Sequence, residues 1–261
     1  MIEAGIGIYA IAIPAVLLAL LAAAETRWQR RDLVLGRFPR WITHALFFVA
    51  NAAVGRLLSL FMVVGVAATL ANEANFGLLN LTGWPWLVEA AIAFIVLDFA
   101  VWFQHLAMHH HPLLWRMHAV HHSDRDLDVT TALRFHPFEL MVSTLYKSAW
   151  VALLGVPVIV ALVFEVWLNA NALFNHSNIP LPAGVDRALR KILVTPDMHL
   201  VHHSIDIGDQ KRNFGFALTI WDRVFGTYGD TAGAQTIGLG SAQDARPARL
   251  WWSMKQPFDH L

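Results

Sequence analysis

Long apolar runs, separated by short charged segments, set the pattern of this chain. Ala4 to Ala24 is uncharged over about 21 residues, close to the roughly 20 that a helix needs to cross a bilayer core. No Lys or Arg precedes it, which argues against a cleaved signal peptide, and Arg27, Arg30, Arg31, Arg37 and Arg40 follow it at once. That side therefore reads as cytoplasmic. A second stretch, Trp41 to Ala71, is interrupted by Arg56, which is expected to snorkel or to pair with an acid. The loop after it, Asn72 to Gly83, carries no basic residue and should face the other side. Trp84 to Gln104 then returns the chain to the basic side. Leu140 to Leu173 is again apolar but is broken by Gly155, Val156 and Pro157. Reading it as two short arms of a helical hairpin keeps the chain segments before and after it on one membrane face. Beyond residue 176 the charge density rises, and Asp206 to Leu261 reads as a water-facing, partly irregular cap.

The predicted fold is thus an all-α integral membrane helical bundle of about four spans or span-equivalents, including a hairpin. Its organisation is a single domain over 1–261, with amino-terminal spans in 1–97, a histidine-box region in 98–230 and a cytosolic tail in 231–261. Composition agrees: 56% of residues are hydrophobic and only 15% charged, too apolar for an ordinary soluble domain. The formal net charge is zero, so no general attraction to nucleic acid is expected. Cysteine is absent, which removes iron–sulfur clusters, thiolate haem and thiol nucleophiles together. Any metal must be held by nitrogen or oxygen.

Most of the 14 histidines fall in three short groups with ligand spacings. In HLAMH, His105 and His109 are four apart and project from one helical face. In HAVHH, His118, His121 and His122 share one helical stripe, and HLVHH repeats the arrangement with His199, His202 and His203. His136, in RFHPFE, and His176, in FNHSN, are the single-residue additions. Eight clustered histidines plus one or two others exceed the four ligands of a tetrahedral zinc, so two metals with four or five imidazoles each are expected. Imidazole suits zinc, copper, iron and nickel alike and does not name the metal. His110 and His111 read as supporting or surface residues, and His44 and His260 as non-ligands. Asp98 lies seven residues before His105, on the same helical face, where an acid inside a span is costly; it is expected to orient an imidazole N–H. The tryptophans read as interface belts and core rather than as a stacking platform.

The segments DFAVWFQHLAMHHHPLLWRMHAVHHSD, TTALRFHPFE, FNHSN, TPDMHLVHHS and NFGFALTIWDRVFGTYGD, in this order over residues 98–230, resemble the fatty acid hydroxylase and sterol desaturase superfamily of membrane di-iron oxygenases. Leu106 departs from it, since many relatives carry Arg directly after the first histidine. The resemblance implies two iron ions held by His105, His109, His118, His121, His122, His136, His176, His199, His202 and His203, with molecular oxygen as co-substrate and a membrane lipid as substrate. Hydroxylation is the favoured outcome, with desaturation or ether cleavage on the same site as alternatives. Electrons would come from a separate ferredoxin, cytochrome or reductase, because no flavin, nicotinamide or haem-binding signature is present. Two rivals are a membrane zinc hydrolase, for which no Glu lies inside any histidine box, and a non-enzymatic metal or lipid carrier. A bacterial inner membrane, with the metal cap on the cytoplasmic side, is the expected location.

Overall fold

The computed structural model describes residues 2–58, 64–229 and 236–259, so His260 lies outside the described residues. It is all-helical, with no β-strand among them. The long helices are α1 (Ile2–Arg27), α2 (Arg37–Leu58), α4 (Trp86–His110), α6 (Pro137–Leu154) and α7 (Val158–Asn175). Shorter ones are α3 (Val64–Glu73) and α5 (Pro112–His122), then α8 (Ala183–Leu189), α9 (Pro196–His202), α10 (Ile207–Gln210), α11 (Ile220–Val224) and α12 (Leu250–Lys255). Among the described residues, α4 and α7 are the two helices long and apolar enough to cross a membrane. The second apolar run is divided between α2 and α3. In α6 the apolar pattern is interrupted by Glu139 and Lys147.

The hairpin turns where the sequence places its break. Gly155 ends α6 in the left-handed region (φ 69°, ψ 44°), which only glycine enters without strain, and Pro157 caps α7. Gly77, at φ 113°, lies directly on this turn: a Cβ there would sit 2.2 Å from the Gly155 nitrogen. Leu78 N–H donates to the Leu153 carbonyl at 3.0 Å, fastening the loop to the hairpin tip. Both arms pack against α3 and α4. Ala67, Ala68, Ala93 and Ala161 are fully or almost fully buried in this contact, and such small residues let the helix backbones approach closely. Leu97 and Phe164 fill the remaining space, each 2% exposed.

A belt formed by residues 25–40 ties the amino-terminal helices to the histidine region. Glu25 Oε1 accepts from the backbone N–H groups of Val129 (2.9 Å) and Asn178 (2.6 Å). Asp126 accepts from the N–H groups of Val34 and Leu35 at 2.7 and 2.8 Å. Arg40, counted above among the cytoplasmic cations, is instead fully buried: it grips Asp124 bidentately (2.8 and 2.7 Å) and Asp128 at 2.6 Å. It is an internal ion pair and carries no topological signal. Burial alone would push the Asp124 carboxyl up, but the charge and hydrogen bonds of Arg40, with those of His44, hold it well below the usual carboxylate range.

Residues 236–259 pack back onto this core. Gly238 N–H donates to the His203 carbonyl (3.1 Å), the Arg134 guanidinium donates to Ser253 Oγ (2.7 Å), and Gln256 donates to the Ala119 carbonyl (3.2 Å).

Candidate metal centre

Helix ends gather the histidines. α4 finishes just beyond His105 and His109, α5 opens on Pro112 and ends at His122, and His176 and His203 occupy the carboxy-terminal caps of α7 and α9. Residues before and after the hairpin therefore meet at one place.

Nine imidazoles form two groups, His105, His109, His118, His122 and His202 in one and His121, His176, His199 and His203 in the other, each group with its ligand atoms within 4.8 Å of one another. In the five-membered group His105 Nε2 lies 3.1 Å from His118 Nε2 and 3.0 Å from His202 Nε2. In the four-membered group the contacts of His176 Nε2 with His121 and His199 are 3.1 and 3.0 Å, and His203 Nε2 is 3.1 Å from His199 Nε2.

These short contacts cannot all be hydrogen bonds. His105 Nδ1 faces the Phe214 carbonyl at 2.7 Å, His202 Nδ1 the Arg212 carbonyl at 2.8 Å and His176 Nδ1 the Ala172 carbonyl at 2.6 Å; a carbonyl only accepts, so each Nδ1 carries the proton. His118 Nδ1 donates likewise to Glu139 Oε1 at 2.7 Å. The Nε2 atoms of His105, His118 and His202 are thus bare lone pairs converging without a proton between them, an arrangement that a cation stabilises. His109 Nε2 and both ring nitrogens of His122 are also buried without a partner. Burial, then the neighbouring imidazoles, holds His121, His122, His199 and His203 well below the ordinary histidine value, and burial pushes His176 down to about 4. Neutral imidazoles are the form that binds metal. Two adjacent groups of convergent, unprotonated nitrogens fit a pair of imidazole-held transition-metal ions.

A cavity of about 350 Å³ adjoins the five-membered group. His105 is part of its wall, with Phe48, Ala52, Val101, Met108 and Leu168 as apolar lining. That size is at the lower end for a site that accepts a small organic molecule.

A family model for fatty acid hydroxylases matches residues 90–227, which include all nine clustered histidines. The chain belongs to the fatty acid hydroxylase family. It is 29% identical to an ornithine lipid hydroxylase of Rhizobium tropici over 83% of this chain and 64% of that protein. With an alkylglycerol monooxygenase of Homo sapiens the identity is 27%, over 88% of this chain and 49% of that protein. With a fatty acid hydroxylase of a Lecanicillium species it is 29%, over 68% and 52%. The chain thus spans between about half and two-thirds of the length of these relatives. No solved structure matches it.

Two site assignments made for this fatty acid hydroxylase family member from sequence are corrected by the structure. His136 lies outside both groups: its Nδ1 accepts from Phe138 N–H at 3.3 Å as the amino-terminal cap of α6, and its Nε2 is 3.3 Å from the Met254 carbonyl. The segment RFHPFE reaches the site through Glu139 instead, three residues later, which the sequence reading passed over. Asp98 orients no imidazole; its Oδ2 accepts from the Trp221 indole N–H at 2.7 Å. The carboxylate that organises the site at longer range is Asp222, in the WDRVFGTY segment. It accepts from Trp102 Nε1 (3.1 Å), from the N–H groups of Phe214 and Gly215 (2.9 and 2.8 Å) and from Thr227 Oγ1 (2.6 Å), fixing the loop whose carbonyls hold His105 and His202. Asn213, in the left-handed region at φ 55°, lets that loop present both carbonyls. His44 is buried against Thr130 Oγ1 (2.8 Å) and Asp124, and His110 bonds the Leu106 carbonyl of its own helix at 2.8 Å.

Proposed function

We propose that this chain is a membrane-embedded oxygenase that hydroxylates a lipid, using molecular oxygen and two iron ions held by the two imidazole groups. The observation that carries the reading is the pair of bare Nε2 clusters beside an apolar cavity that shares His105 with one of them. When bound, such a metal pair supplies what no side chain can, activation of oxygen and removal of hydrogen from an unactivated carbon. The protein does the rest. His105, His109, His118, His122 and His202 hold one ion, and His121, His176, His199 and His203 the other. The carbonyls of Phe214 and Arg212, with Glu139, fix three imidazoles in the tautomer that presents Nε2. Phe48, Val101, Met108 and Leu168 keep the cavity apolar and hold the reacting carbon against His105.

Five imidazoles in one group exceed the tetrahedral demand of zinc, which disfavours the hydrolase reading. Hydroxylation of a carbon bonded to an ether oxygen gives a hemiacetal that falls apart, so ether cleavage is the same step on another substrate. Reducing equivalents come from a separate ferredoxin, cytochrome or reductase. Bilayer placement is supported by α4 and α7 and by exposed apolar side chains such as Phe38, Phe48, Leu87 and Phe103. Arg27, Arg30, Arg31 and Arg37 support a metal cap on the cytoplasmic side of what we take to be a bacterial inner membrane. The test is metal content and lipid-dependent oxygen uptake of the purified chain. Two irons per chain with uptake on adding lipid and reductant is the expected result; stoichiometric zinc without iron, after growth in iron-rich medium, would overturn it.

A further inference from the structure

The cavity is not a uniform hydrocarbon slot. Beside its apolar wall runs a polar stripe on α6, Glu139, Ser143 and Lys147, at four-residue spacing and so on one face. Lys147 is neutralised by Glu165 on α7 (2.8 and 3.0 Å), and Ser143 shares a hydrogen bond with Gln104 (2.9 Å). Two lining residues near the metal groups are left short of donors. Glu139 is 4% exposed and commits Oε1 to His118, while its Oε2 has no partner. Asn51 spends its amide N–H on the Phe135 carbonyl (2.9 Å), which fixes its Oδ1 as a buried acceptor, also without a partner. The Phe135 ring stacks on His121 at 4.6 Å, so Asn51 and Glu139 both belong to the metal end of the cavity. Two buried acceptors without donors are costly in an apolar setting.

We infer that the cavity takes an amphiphile head first, with a hydroxyl or amide N–H of its polar end donating to Glu139 Oε2 or to Asn51 Oδ1. Its chain then runs along Val101, Leu140 and Leu168. The inference rests on the functional reading above and sharpens it: the substrate is a lipid with a hydrogen-bond donor close to the carbon that is oxidised. A free carboxylate is disfavoured at this end, because it brings no proton to acceptors and the one Lys or Arg lining the cavity is already matched.

Competition binding on the full chain in bilayer nanodiscs tests this. Tritiated tetradecanol is displaced by unlabelled tetradecanol, tetradecyl methyl ether or tetradecanoate, with iron per chain measured on the same samples. The alcohol is expected to compete about tenfold better than the ether or the acid, the range of one hydrogen bond to a charged or buried acceptor. Glu139→Gln keeps an oxygen for His118 Nδ1 but replaces the free acceptor by an N–H donor, and should abolish that preference with iron content retained. Asn51→Leu, which touches no imidazole, should reduce it severalfold. Equal displacement by alcohol and ether in the wild type, or a preference unchanged in both variants, would overturn the proposal. An alcohol preference in protein that binds no iron would support the head-first site and sink the iron-pair reading instead.

Discussion

The two imidazole groups are built from the same kinds of helix end, yet they are held differently. In the five-membered group, His105, His118 and His202 each lean on a partner distant in sequence: the Phe214 carbonyl, Glu139 and the Arg212 carbonyl. In the four-membered group His176 bonds a carbonyl of its own helix, and the Nδ1 atoms of His121 and His199 have no partner. Outer hydrogen bonds orient an imidazole and raise its basicity, so the five-membered group is the better prepared of the two. It is also the one in the cavity wall. The firmer site therefore adjoins the cavity.

The largest effect should come from His121→Ala combined with His202→Ala, which takes one imidazole from each group. Both metals should be lost and turnover should fall by well over about a hundredfold, more than outer-partner substitutions cause; elemental analysis alongside oxygen uptake checks it. Glu139→Ala should separate the groups. Metal affinity at the five-membered site should drop by about 10- to 100-fold while the other site keeps its ion, so that chelator titration becomes biphasic. Equal weakening of both sites would erase the contrast drawn here.

Acid should act next. The folded value of His176, pushed down to about 4 by burial, lies below its unfolded value near 6.5, so the unfolded chain binds the extra proton. The stability contributed by neutral His176 is complete above pH 6.5 and is lost as pH falls from there through about 4. Thermal unfolding of the metal-free chain should therefore shift to lower temperature across this window, and bound metal should oppose the shift. The smallest effect is expected for His136→Ala: about 1 kcal/mol of stability from the lost cap of α6, with both metals retained. Loss of either metal on that substitution would restore His136 as a ligand.

Much of this was legible in advance. Spacing singled out eight of the nine clustered histidines, with His176 added singly beside His136, and the Gly155–Pro157 break together with the need for shared sites led to the hairpin. What spacing could not supply was the partition. Each triad looks like one stripe, yet the i,i+4 pairs His118 with His122 and His199 with His203 stay together, while His121 and His202 cross to the opposite group. That division is fixed where α5 and α9 end against one another, a tertiary fact. Glu139, Asp222 and the real partner of Asp98 were hidden for the same reason. Trp221 is 123 residues from Asp98, and no local pattern reports a hydrogen bond of that reach. Arg40 misled because a cation after an apolar run has the same sequence signature whether it meets water or buried aspartates.

The crossing of His121 and His202 has a thermodynamic corollary. An ion held by either group would fix the ends of both α5 and α9, and so would help to order the imidazoles of the neighbouring group. Loading of the intact chain is then expected to be positively cooperative, with a Hill coefficient above one that Glu139→Ala lowers by splitting the two affinities.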